Sequence, residues 1–210
     1  MRHMAPTPTP PVTPDAAWEL LRTGNDRFAT GRSERPNQTL ERLAETAGSQ
    51  QPFAAVLGCM DSRVAAEIVF DCGLGDIVVV RTAGHVVGST VLGSLEFAVG
   101  VIGVPLIVVL GHESCGAVRA ALAAYTTGQM PSGHIRDVIE RMTSSVVTAR
   151  ANRPDLELDA ESLRDQHVRG TVRLLTERSP LLAARVADGS CRIVGASYRL
   201  TDGRIEYLTR

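Results

Sequence analysis

Four apolar runs, each separated from the next by patterns of helical period, constrain this chain more than any other feature. They occupy 53–58, 77–81, 106–110 and 192–197. Runs of this length, rich in Val and Ile and without polar alternation, are what strands covered on both faces look like. Helical patterns lie between them, at 65–71, 91–102, 115–125, 135–150, 162–178 and 180–187. Strand–helix–strand alternation predicts a parallel sheet with right-handed crossovers. A last apolar segment, 204–208, follows Thr201-Asp202-Gly203, a turn signature. It should hairpin back as an antiparallel edge strand.

Ahead of the first strand, an amphipathic pattern at 16–29 carries Trp18, Leu21 and Phe28. Pro14 and Asp15 open it, with Thr13 or Asp15 as the N-cap. A polar stretch at 30–37 and a short helix at 40–46 follow, so the first helix is expected to stand off the core as an arm gripping a partner. Residues 1–14 are Pro/Thr-rich and read as an extended, disordered tail without the apolar centre of a secretory signal. Residues 15–210 read as one domain, its weakest connection being the polar loop 152–159 around Pro154. The longest apolar stretch, 97–111, is broken by three glycines and Pro105 and falls short of the ~20 residues a bilayer needs. A cytoplasmic, reducing setting is therefore expected, where the four cysteines suggest metal or catalysis before disulfides.

Composition removes whole classes of chemistry. The chain has no lysine, and all 22 basic residues are arginine. A P-loop and Schiff-base catalysis both require a lysine amine. Against 23 acidic residues the net charge is −1, so there is no broad basic field for nucleic acid or an anionic membrane.

Chemistry-bearing residues follow the first three strands directly: Cys59-Met-Asp61-Ser-Arg63, then Arg81-Thr-Ala-Gly84-His85, then Gly111-His112-Glu-Ser-Cys115. Ligands of open α/β sheets bind beyond the carboxyl ends of strands, where neighbouring connections diverge. If the first and third runs are adjacent, Cys59, Asp61, His112 and Cys115 converge on one crevice. Two thiolates, an imidazole and a carboxylate form a tetrahedral set that suits Zn2+. His112 and Cys115, three apart at a helix entrance, can face one ion, and the helix N-terminus favours the Cys115 thiolate. Asp61 has three possible roles. It can complete the zinc set, cap the following helix, or pair bidentately with Arg63 and leave a fourth metal position for water.

The pattern Cys59-x-Asp61-x-Arg63 with His112-x-x-Cys115 resembles the zinc signature of the β-class carbonic anhydrases, and the resemblance runs from about Trp18 to the final strand. It implies an α/β fold with four parallel strands in the order 2-1-3-4, an antiparallel edge strand, flanking helices and an N-terminal helical arm. It implies zinc-dependent interconversion of CO2 with bicarbonate and a proton. Cys59, His112 and Cys115 would ligate zinc. Asp61 and Arg63 would be the catalytic dyad, with Asp61 a fourth ligand in a resting state. Gln50 falls where the family has a glutamine that binds substrate from the partner subunit, although neighbouring Gln51 and an ordinary surface amide compete with that assignment. Val78, Ala83, Gly84 and Phe97 fall along the substrate pocket, Phe97 from the partner chain; each alone would be ordinary core or turn. Gly116 falls where a backbone amide meets the bound anion. A homodimer is implied, or a tetramer. A non-catalytic bicarbonate pocket found in some members uses a Trp at the position of Val56, so only Arg81 matches it here.

Zinc is expected to supply hydroxide near neutrality. Two thiolates donate more charge than histidines, so activity should rise into the alkaline range. Asp61, held by Arg63, would orient the nucleophile. His85 is a candidate cleft residue or proton shuttle, with a plain turn role as the alternative. Two rival functions are a CS2/COS hydrolase on the same scaffold and a non-catalytic zinc-stabilised binding protein. Cys72 and Cys191 read as small buried hydrophobes. His134 and His167 read as surface residues, and the arginines at 164, 169, 173 and 178 as one solvated stripe.

Overall fold

The computed structural model describes residues 12–152 and 158–209. Most of the tail expected at 1–14, and the centre of the loop expected at 152–159, lie outside the described residues. A five-stranded sheet has the order β2-β1-β3-β4-β5. Its strands are β1 (Ala54–Cys59), β2 (Ile77–Thr82), β3 (Leu106–His112), β4 (Arg192–Tyr198) and β5 (Ile205–Thr209). The first four are parallel and β5 is antiparallel to β4, as expected. All residues of β1 and β3 are buried, which explains why their sequences run apolar without alternation.

Alternate side chains of these strands enter different cores. Ala54, Val56, Leu106, Val108 and Val194 face one cluster; Ala55, Leu57, Ile107, Val109 and Ile193 face another. The first is covered by α1 (Pro14–Ala29) and α3 (Ala66–Val69), the second by α4 (Ser89–Phe97), α7 (Ala160–Arg178) and α8 (Pro180–Ala187). A π-helical turn, Ala98–Ile102, extends α4 and ends at left-handed Gly103. A third cluster lies beyond the carboxyl ends of the strands. It contains Cys59, Cys115 and Val118 of α5 (Gly116–Thr127), Ile139 and Met142 of α6 (Ile135–Asn152), and Leu163 of α7.

Three expectations change. Helix α1 does not stand off the core: its apolar stripe of Ala17, Trp18 and Leu21 is buried on its own sheet. The polar segment after it, together with the short helix α2 (Leu40–Thr46), was expected to detach it. That segment is tied down instead by Asp71, whose carboxylate accepts from Arg27 Nε at 2.6 Å and from the amides of Glu34 and Arg35, both at 2.9 Å. Thr13 caps α1, accepting from the Ala16 amide at 3.2 Å with Pro14 in the first turn.

The other two changes concern α7. His167 is buried, at 4% exposure, and so is Arg164 at 8%. Arg164 runs beneath Gly111 of β3 and ends in ion pairs with Glu161 and Asp165, so its head is neutralised where its stem is covered. Arg173 and Arg178 are exposed, as a solvated stripe requires.

Candidate metal centre

The crevice forms because β1 and β3 are neighbours whose chains leave the sheet at its carboxyl edge. Cys59 is the last residue of β1 and His112 the last of β3; Cys115 caps α5. Their ligating atoms lie within 4.8 Å of one another, and all three residues are buried. The two sulfurs are 3.9 Å apart. A tetrahedral zinc with Zn–S bonds of about 2.3 Å requires an S···S separation of about 3.8 Å. His112 Nδ1 lies 2.8 Å from the Glu113 carbonyl oxygen, which only accepts, so Nδ1 carries the proton. In the neutral ring Nε2 is then the lone-pair nitrogen, buried and without a protein hydrogen-bond partner among the described residues. A buried lone pair aimed between two sulfurs fits a soft divalent cation such as zinc.

Asp61 turns toward Arg63. Its Oδ1 accepts from Arg63 Nε at 2.9 Å and from the Arg63 amide at 3.0 Å, and its Oδ2 accepts from Nη2 at 2.7 Å. Oδ2 remains 4.0 Å from His112 Nε2, beside the ligand set. The Arg63 guanidinium holds the Asp61 carboxyl well below the usual carboxylate range, against the opposing effect of burial. Arg81, exposed on the edge strand, donates to the carbonyls of Cys59 at 2.9 Å and Asp61 at 2.6 Å. It therefore tethers the loop that carries the dyad.

Cys59 is drawn down, first by its contact with Cys115 and, against burial, by His112 and the backbone amides around it. Cys115 is pushed up, by that same contact and by burial. One of the amides belongs to Gly84, whose N–H donates to Cys59 Sγ at 3.3 Å.

The remaining predicted residues divide. Ala83 and Gly84 form a 3₁₀ turn, Ala83–His85, against Cys59, and Gly116 opens α5 beside Cys115. Gln50 is exposed ahead of β1, at the opposite end of that strand from Cys59. Val78 pairs with Ala55, also far from the carboxyl edge, and Phe97 is 56% exposed at the end of α4. Within one chain these three do not join the crevice. Val56 is fully buried core. His85 is buried with both ring nitrogens unpartnered among the described residues, and its ring lies 4.5 Å from that of His167. His167 escaped sequence reasoning. The period-four series Leu163, His167, Thr171, Leu175, all buried, would have placed it on the inner stripe of α7.

A parallel sheet with two thiols and an imidazole gathered at its carboxyl edge, beside an arginine-clamped carboxylate, defines an α/β protein with a candidate metal centre. The carbonic anhydrase family model matches residues 54–205, and the chain belongs to the carbonic anhydrase family, in its β class. Carbonic anhydrase 2 of Mycobacterium tuberculosis is 53% identical over 195 residues, 93% of each chain. The carbonic anhydrase of Mycolicibacterium smegmatis is 52% identical over 200 residues, 94% of each. The solved Coccomyxa β-carbonic anhydrase in complex with acetazolamide is similar with a TM-score of 0.70 at 26% identity, over 91% of this chain and 84% of that one. No described helix is long and apolar enough to cross a membrane.

Proposed function

We propose that this chain catalyses the reversible hydration of CO2 to bicarbonate and a proton. Zinc would be held by Cys59, His112 and Cys115, with Asp61 and Arg63 as the catalytic dyad. The observation that carries this reading is the Asp61 carboxylate, clamped by Arg63 at 2.7 Å and 2.9 Å yet within 4.0 Å of His112 Nε2. Zinc supplies Lewis acidity that makes water a nucleophile near neutral pH. Asp61, kept ionised by Arg63, would accept a hydrogen bond from the attacking water and orient it toward CO2. The same clamp turns Asp61 toward Arg63, and release of Arg63 would free it to join Cys59, His112 and Cys115 as a ligand. Ala83, Gly84 and Gly116 line the substrate side, and the Gly116 amide is available to the product anion.

Gln50, Val78 and Phe97 enter the reading only through a second copy of the chain. A strand of six residues spans about 20 Å, so Gln50 acts, if at all, across a homodimer interface. The mycobacterial relatives, both named carbonic anhydrase, support the activity. Four free, buried cysteines support a reducing, cytoplasmic setting. We read residues 15–210 as one domain.

Stopped-flow CO2 hydration at about pH 7 and about pH 8.5 tests the proposal, with activity expected to rise toward the higher value. Asp61→Ala and Arg63→Ala should each lower kcat/KM by roughly 10²-fold or more. No zinc-dependent activity at either pH would leave a zinc-stabilised binding protein. A wild type active on CS2 or COS alone would move the assignment to a hydrolase on this scaffold.

A further inference from the structure

The 83–85 turn is held in an unusual backbone conformation beside the metal centre. Gly84 has φ +60, and a Cβ there would meet the Ala117 Cβ at 2.9 Å. His85 follows with φ +45, uncommon for a residue with a side chain. Such geometry persists only when its surroundings over-determine it. One restraint is Thr82, whose hydroxyl donates to the Val86 carbonyl at 2.9 Å. The other comes from α7, 83 residues away: His167 Nε2 lies 2.9 Å from the Gly84 carbonyl oxygen.

A carbonyl only accepts, so His167 Nε2 carries the proton and Nδ1 is an acceptor. Its donor is the Ser145 hydroxyl of α6, at 2.9 Å. Ser145, His167 and Gly84 are all buried, so these groups satisfy one another within the fold. The chain of hydrogen bonds ends at Cys59, because the Gly84 amide is the N–H that reaches its sulfur at 3.3 Å.

We propose that His167 is a positioning residue for the metal centre: its Nε2–H, oriented by Ser145, holds the Gly84 turn so that the Gly84 amide donates to Cys59. The inference rests on Cys59 being a zinc ligand. An N–H donor to a sulfur stabilises thiolate over thiol, and groups that orient a ligand contribute roughly 10–100-fold to metal affinity. His167 touches neither substrate nor metal, and its ring packs against His85 rather than facing the crevice.

The test measures zinc affinity by chelator competition on the full chain, with the Co(II) form read for its thiolate-to-metal absorption and thermal unfolding as the fold control. His167→Phe keeps a ring but removes the donor; it should weaken zinc binding about 10- to 100-fold and shift the cobalt band. His167→Gln restores an N–H near Nε2 and should bind zinc within about threefold of wild type. Ser145→Ala adds no volume and frees the tautomer. It should weaken binding about 3- to 10-fold, and it carries the test if the phenylalanine variant does not fold. Zinc affinity within about twofold of wild type in both His167→Phe and Ser145→Ala would overturn the proposal, as would a glutamine variant no better than phenylalanine. If those variants match a wild type that binds zinc tightly, the metal-site reading survives and only the role of His167 falls. A wild type that binds no zinc sinks both.

Discussion

Asp71 shows how a single buried carboxylate can organise a long polar segment. Its side chain is 2% exposed and satisfied by Arg27 and two backbone amides. Burial pushes its carboxyl up, but the Glu34 amide, the Arg27 guanidinium and the Arg35 amide together bring it below the ordinary range. The folded group binds its proton less tightly than the unfolded one. Its contribution is thus present above the ordinary carboxylate range and lost as pH falls through the lowered value. Arg27→Met removes the charge but keeps the stem, and should cost about 3 kcal/mol by urea unfolding at neutral pH. A loss below about 1 kcal/mol would mean that the amides alone suffice. Arg27, Arg63, Arg81 and Arg164 use directed guanidinium nitrogens for these contacts, a geometry lysine cannot reproduce. Sequence reasoning singled out Arg63 and, more weakly, Arg81. Arg27 and Arg164 looked like surface charge because their partners, Asp71 apart from Arg27 by 44 residues and a covering strand, are supplied by the fold.

At the scale of elements, α7 joins the sheet to the candidate metal centre and carries an acid-sensitive group. Burial depresses His167 to about 4, only partly opposed by its bond to Gly84, and burial lowers His85 as well. An unfolded histidine titrates near 6.5. Between that value and about 4 the unfolded chain binds a proton that folded His167 refuses. Stability is therefore full above 6.5 and falls as pH drops through this window, by up to about 1.4 kcal/mol per pH unit from each such histidine. Denaturant titrations at about pH 7.5 and about pH 5 should show His167→Gln losing less stability than wild type over that interval, by about 2 kcal/mol. Equal losses in the two proteins would place the acid sensitivity elsewhere, with His85 the next group to examine.

At the scale of the whole molecule, the proposed role of Gln50 calls for a second copy of the chain. Gln50 and Cys59 sit at opposite ends of β1, so a glutamine that serves the active site must come from another copy. If the functional unit is a C2 dimer, Gln50→Ala and Asp61→Ala damage different halves of each site. Two such variants, each nearly inactive alone, should recover about a quarter of wild-type activity when co-expressed, because half of the dimers are mixed and each mixed dimer holds one intact site. No recovery, or an active monomer in sedimentation, would confine the chemistry to one chain. The apolar surface at Phe97 and Val101, 56% and 70% exposed, is where such a partner would bury area.

Much of the architecture was legible in the chain because it depends on local periodicity. Unbroken Val/Ile runs exist only where both faces of a strand are covered, and the Thr201-Asp202-Gly203 turn sets the hairpin to β5. The candidate ligands were legible too, because Cys59, His112 and Cys115 end strands or open a helix, positions that can be counted along the sequence. Three things came only from tertiary structure: the bidentate pairing of Asp61 with Arg63, the seating of α1 on its own sheet, and the reach of His167 to Gly84. Each is a pairing between side chains and backbone brought together by packing. A burial pattern specifies which face of an element is covered. It does not specify which donor and acceptor meet beneath it.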